Sequence, residues 1–258
     1  GAMAFLFARS LDGWLLSYIA NDWLRLTALF AIVILIHEAI SLPLSYFAGH
    51  VLEVRHGLSP QSARRWFWRH FKRFGLAAGF GLAMFVGLYA IIWWTGPWWW
   101  LVAAAAFFVV SVVLGQLAPV LIMPLFYKIE RLDSPELAER MNRLAEGTGL
   151  SIDGVYRIAL SEETSKANAM LAGLGRTRRV LMGDTLLDGF TPDEIEVIFA
   201  HEIGHHVFGH LRKMLLAGVI YSAAGFWLCN ELLMRWTAYV AGAPISPHDL
   251  PVYALPLL

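Results

Sequence analysis

Four long apolar stretches, residues 24–47, 74–94, 101–126 and 214–239, decide most of what this chain can fold into. Each is long enough to cross roughly 30 Å of hydrocarbon as a helix. Inside lipid no water meets an open N–H or C=O, so a spanning segment must satisfy its backbone internally. The expected fold is therefore mainly α, a polytopic membrane protein built on a transmembrane helix bundle. Composition agrees, since 58% of the 258 residues are hydrophobic and only 16% are charged, a departure from soluble usage. Gly1-Ala2-Met3 reads as a scar ahead of the native start. Residues 4–22 are apolar too, but Arg9, Asp12 and Gly13 interrupt them, and they read as an interfacial or partly inserted segment. Within the first span His37 and Glu38 fall at mid-depth, where an ionisable pair is costly and seeks other helices or a wet cavity. The plain reading is an interhelical polar contact; a catalytic or substrate role is the alternative.

Residues 49–73 join the first two spans and hold Arg55, Arg64, Arg65, Arg69, Lys72 and Arg73, with Trp66 and Trp68 among them. Such interleaving can signal nucleic acid, but between two spans it marks a segment at the membrane surface. Formal net charge is zero, so the global balance implies no nucleic-acid partner, and the lipid bilayer is the expected one. Six of the 20 Lys and Arg lie in 49–73 and eleven in 126–213. The spans between set both segments on one side, which the positive-inside rule makes cytoplasmic. Trp93, Trp94, Trp98, Trp99 and Trp100 flank Thr95-Gly96-Pro97 as an aromatic belt on the far side. The chain thus divides into an N-terminal transmembrane region (1–127), a soluble insert (128–213) and a C-terminal transmembrane region (214–258). A further apolar run begins at Leu250. The one cysteine, Cys229, precludes an intrachain disulfide and a Cys-rich metal site.

The insert reads as a small α+β domain. Ser134 caps a helix with Pro135 at its first position, and residues 155–160 and 179–182 read as short strands separated by the polar stretch 161–178. Thr191-Pro192-Asp193-Glu194 caps a second helix whose apolar face is Ile195, Ile198 and Phe199. That helix carries His201-Glu202-Ile203-Gly204-His205, an H-E-x-x-H pattern. Residues four apart share a helix face. His201 and His205 can therefore aim two imidazole nitrogens at one Zn²⁺, while Glu202 reaches the metal's open side as general base. The pattern alone arises by chance in roughly one chain in a hundred, and two surface histidines are the alternative. A capped helix after a small sheet is the context it needs. The helix is expected to run on directly into the last span. His206 is rotated about 100° from His205 and His210 lies five residues on, so neither shares their face; both read as surface or supporting groups. Glu231, His248 and Asp249 fall toward the far membrane side, so no residue here supplies the third protein ligand of a catalytic zinc.

Further stretches carry a family pattern: Glu53-Val54-Arg55-His56-Gly57-Leu58, Met123-Pro124-Leu125-Phe126, Ser165-Lys166-Ala167-Asn168-Ala169, Gly173-Leu174-Gly175-Arg176-Thr177-Arg178-Arg179-Val180 and Asp184-Thr185-Leu186-Leu187. With Ala200 to His205 they resemble the integral-membrane zinc endopeptidases of the CAAX prenyl protease 1 family and its bacterial relatives. The resemblance implies a zincin-like cytoplasmic catalytic domain opening into a chamber enclosed by transmembrane helices. It implies a third zinc ligand, a glutamate beyond another span, which by the family's spacing falls past Leu258; the chain is read as incomplete at that end. By residue type alone Asn168 is a turn residue. The resemblance instead makes Asn168 and Ala169 an edge strand that takes the substrate backbone by β-strand addition.

The expected function is a zinc-dependent membrane endopeptidase acting on membrane-associated or prenylated-type (CAAX-like) peptides and proteins, in a bacterial inner membrane with its catalytic domain cytoplasmic. The rivals are a channel or transporter lined by His37 and Glu38, and a noncatalytic scaffold with an incomplete metal site. Zinc-dependent cleavage lost on Glu202→Gln separates the first reading from both.

Overall fold

The computed structural model describes residues 2–148, 150, 152–172 and 178–254. Gly149, residues 173–177 of the family-like stretch and residues 255–258 lie outside them. The chain opens with α1 (Ala2–Leu16) and α2 (Asp22–Tyr46). α2 passes into a π-helical stretch, Phe47–Leu52, and the short α3 (Glu53–Arg55); Pro43, which lacks an N–H for the ladder, precedes this widening. α4 (Ala63–Thr95) ends in a 3-10 turn at Gly96–Trp98 before α5 (Trp99–Leu117). Beyond α5 the helix changes to a π turn containing Pro119 and a 3-10 turn containing Pro124, so the two prolines end the α-helix as expected. Then follow β1 (Ile129–Arg131), α6 (Pro135–Ala145), β2 (Ile152–Ile158), β3 (Ala169–Ala172), β4 (Arg178–Gly183), α7 (Asp184–Gly189), α8 (Pro192–Val207) and α9 (His210–Ala241). Among the described residues three continuous helical stretches are long and apolar enough to cross a membrane, Asp22–Arg55, Ala63–Leu125 and His210–Val240, the second holding both α4 and α5. The basic residues 64–73 are thus helical rather than looped. Arg, Trp and Phe do not break helices, and the Ser62 hydroxyl caps the start by accepting from the Arg65 N–H.

The chain forms two compact units, the first comprising Gly1–Ser45, His70–Val109 and Gly218–Leu258. Its core gathers Leu26, Leu29, Tyr89, Ile92, Trp99, Ala103 and Leu233 with Leu250, Val252 and Ala254. Within the apolar run from Leu250, residues 250–254 are therefore core packing. Their carbonyls are met by the buried Tyr89, whose Oη donates to Val252, and the half-buried Trp93, whose Nε1 donates to Leu250 at 3.0 Å, which removes the cost of burying them bare. Trp99 is also core, with its Nε1 donating to Asn230 Oδ1 at 2.7 Å. Only part of the tryptophan cluster matches the expected belt: Trp94 is 77% and Trp98 66% exposed, whereas Trp99 is 0%. Glu38 Oε1 lies 2.6 Å from His70 Nε2, a polar contact between α2 and α4, and Asp12 is paired with Arg25 at 2.8 Å.

The second unit comprises Tyr46–Arg69 and Val110–Ala217. Its sheet has the order β1-β2-β4-β3, with β2 and β4 parallel and both outer pairs antiparallel. Alternation along β4 sends Val180 and Met182 to a core shared with α6, α7 and α8, and Leu181 to a smaller cluster on the other face with Ile158. β1 is not predicted from the sequence, and β3 is anticipated only at Ala169 and only through the family resemblance; the three and four residues they contain are too few for periodicity to register. The segment entering β3 is pinned by the Ser165 N–H donating to Leu58 O at 3.0 Å and by Lys166 pairing with Glu53 at 3.1 Å. Two of the family-like stretches therefore meet. Nearby, Glu163 pairs with Arg69 and accepts from Tyr127 Oη.

Asp184, 3% exposed, joins the end of β2 to the start of α7. Its carboxylate accepts from the N–H groups of Leu160, Ser161 and Thr185 and from Ser161 Oγ. Burial pushes this carboxyl up, but the Ser161 hydroxyl and the three N–H donors outweigh it and hold it below the ordinary aspartate value. Asp184→Ala strips those donors of their acceptor and should cost about 2–3 kcal/mol, measured by thermal unfolding in detergent. Because the folded value lies below the unfolded value of about 3.9, the contribution is full above that pH and disappears as pH falls through the folded value. A gap between wild type and variant that persists undiminished in strong acid would contradict this assignment.

Candidate metal centre

α8 starts at a capping box. The Thr191 hydroxyl accepts from the Glu194 N–H, and Glu194 Oε2 accepts from the Thr191 N–H at 2.8 Å. The Thr191 N–H, with its hydroxyl adding, holds the Glu194 carboxyl below its usual value. Arg140 of α6 reaches Asp193 at 2.6 Å and Glu196 at 3.0 Å. Ile195, Phe199 and Ile203, four residues apart in turn, are buried in the core that contains Met141, Val180 and Met182. With that stripe turned inward, His201 and His205 are exposed and Glu202 is half-buried.

His201 Nε2 and His205 Nε2 lie 3.2 Å apart, their rings nearly perpendicular. Two nitrogens on one tetrahedral zinc, each about 2.0–2.1 Å from it, sit roughly 3.3 Å from each other. The pair therefore fits two of the three protein ligands of a catalytic zinc. Glu202 completes a group whose ligand atoms all fall within 4.8 Å of one another, and among the described residues no other such group is found. Glu231 pairs with Arg235 at 3.1 Å, and His248 Nδ1 lies 2.6 Å from Trp93 O; both belong to the first unit.

Beyond Val207 the expected continuous helix is broken. Gly209 takes φ 62°, the left-handed region that suits glycine, its N–H donates to His206 O at 3.0 Å, and α9 begins afresh at His210. On an unbroken helix His210 would face away from His205, but after this break its Nδ1 lies 2.7 Å from His205 Nδ1. Gly209 itself was the available signal, being a glycine just past the last helical turn. A cleft of about 280 Å³ opens at this point, lined by the polar Glu202, His205, His206 and His210 and the apolar Pro119, Leu171 and Met214. Gln116 also lines it; sequence reasoning missed this lone amide near the end of an apolar span. Asn168 is exposed and donates nothing from its backbone into the sheet, but its carbonyl accepts from the Gly183 N–H at 2.8 Å, and Ala169 pairs with Met182. β3 is an edge strand and lies against α8.

An H-E-x-x-H helix packed against a small sheet, in a chain with helical stretches long and apolar enough to cross a membrane, is an arrangement able to hold a metal ion. Residues 2–128 match the family model described as CAAX prenyl protease N-terminal, five membrane helices, and residues 131–247 match peptidase family M48. The chain belongs to the M48 family of CAAX prenyl protease 1. It is 30% identical to CAAX prenyl protease 1 of Saccharomyces cerevisiae over 78% of this chain and 44% of that protein. Against the uncharacterized metalloprotease YhfN of Bacillus subtilis it is 28% identical over 97% of this chain and 59% of that one. The crystal structure of S. mikatae Ste24p superimposes with a TM-score of 0.76 at 26% identity, covering 84% of this chain and 50% of that chain. The chain spans about half the length of the curated relatives it matches.

Thr191→Ala removes the hydroxyl half of the box at the head of the motif helix and should cost about 1 kcal/mol, with Thr191→Ser close to wild type. Thermal unfolding of the three proteins checks this; an unshifted alanine variant would contradict a stabilising role for the Thr191 hydroxyl.

Proposed function

We propose that the protein is a zinc-dependent membrane endopeptidase that cuts membrane-associated substrates, including prenylated, CAAX-type C-terminal segments. The observation that carries this reading is the 3.2 Å convergence of His201 and His205 Nε2 with the Glu202 carboxylate beside them. His201 and His205 would hold the ion through those nitrogens. When bound, zinc supplies Lewis acidity, polarising the scissile carbonyl and acidifying a water molecule. Glu202 accepts the water's proton on a carboxylate oxygen and delivers it to the departing amine nitrogen. Asn168 and Ala169 open the edge of β3 to which a substrate strand adds, main chain to main chain. The apolar wall of the cleft, with Leu171 and Met214, receives an apolar side chain. The excess of Lys and Arg in 49–73 and 126–213 favours a cytoplasmic face for the catalytic unit. The yeast relative's name, CAAX prenyl protease 1, supports the substrate class.

The test is metal content and cleavage of a prenylated C-terminal peptide by the full-length protein in detergent or liposomes. Glu202→Gln should keep its zinc and lose about 10²–10⁴-fold in kcat, while His205→Ala should lose both zinc and cleavage. Cleavage by Glu202→Gln at the wild-type rate would overturn the proposal.

A further inference from the structure

We propose that His210 is a positioning residue for the metal centre, accepting a hydrogen bond from His205 and thereby setting the tautomer and tilt in which His205 offers Nε2. The inference rests on the metallopeptidase reading above.

A neutral imidazole carries one N–H and one bare nitrogen. A metal needs the bare one, and the orientation toward His201 makes that Nε2 of His205. The proton then sits on Nδ1, 2.7 Å from His210 Nδ1. A hydrogen bond across that gap requires His210 Nδ1 to be bare, so His210 carries its own proton on Nε2. The opposite arrangement, with His210 donating, would leave the His205 proton on Nε2 and close that nitrogen to a metal. One contact therefore selects the ligating tautomer. Metal-bound histidines usually obtain this support from a carboxylate or a backbone carbonyl; here a second imidazole takes that place.

Two features hold His210 where it is needed. The left-handed Gly209 ends α8 and redirects the chain, so that a residue five positions on returns to the ring of His205. On an unbroken helix the same residue would sit about 140° round the axis from His205. The Phe208 ring lies nearly parallel to the His210 ring, with centroids 6.0 Å apart, and bounds its tilt. His210 also lines the cleft beside Glu202, so it belongs to the same pocket as the ligands.

The experiment measures zinc affinity by competition with a chromophoric chelator, and the visible d–d spectrum after cobalt substitution, on the full-length protein and its variants. His210→Ala should weaken zinc about 10–100-fold and shift the cobalt bands. His210→Asn, whose Oδ1 can stand where Nδ1 stood, should recover most of the affinity and the wild-type spectrum, while thermal unfolding of the apo forms stays together. Zinc held equally by wild type and His210→Ala, with the same spectrum, overturns this inference alone. An asparagine variant as weak as the alanine one likewise overturns the acceptor role. Absence of zinc from the wild-type protein overturns the metallopeptidase reading and takes this inference with it.

Discussion

The convergence of His201, Glu202 and His205 depends on how α8 is rotated about its own axis, and the burial of Ile195, Phe199 and Ile203 sets that rotation. Fully burying such side chains is worth about 1.5–3 kcal/mol each, more than a typical single hydrogen bond contributes net, about 1 kcal/mol. The exposed histidines contribute little to folding. They converge because they lie on the face opposite a stripe that cannot turn away from Met141, Val180 and Met182. The capping box and the Arg140 pairs then fix where the helix starts and how it leans.

A different economy governs the first unit, where the apolar side chains that face outward gain nothing from leaving water if lipid surrounds them. Its internal order comes from close packing and from polar groups that must find partners. Asp12 with Arg25 and Glu38 with His70 are such pairs. The indole and phenol donors of Trp93, Trp99 and Tyr89 do the same for the carbonyls at 250–252 and the amide of Asn230. The Glu38–His70 contact gives Glu38 of the mid-span ionisable pair a structural role, while His37 is exposed with its Nε2 3.5 Å from Ser41 Oγ.

How much of this could be read in advance divides along one line, local against non-local. The apolar spans, the Ser134 and Thr191 caps, and the H-E-x-x-H spacing on its helix are patterns within a few turns of chain, and they were legible. β1 and β3 exist through pairing with strands distant in sequence, which leaves almost no trace in three or four residues. The burial of Trp99 required knowing that Asn230 would meet it. The return of His210 depended on a single φ value at Gly209, a local signal that a long apolar pattern overrode. The edge-strand role of Asn168 and Ala169 came from family likeness, since residue type alone pointed to a turn.

If a substrate strand adds to the open edge of β3 as proposed, the pairing has a consequence for where that substrate would be cut. Main-chain hydrogen bonds do not distinguish one side chain from the next, and a strand that slides by two residues, about 6.6–6.8 Å, keeps the same facing and the same bonds. Such a grip fixes the direction and facing of a peptide but not its position. On that proposal the position would fall to whichever side chain the cleft residues Leu171 and Met214 accept. A peptide with apolar residues at every second position therefore has two equivalent seats, and its products would differ in length by two residues.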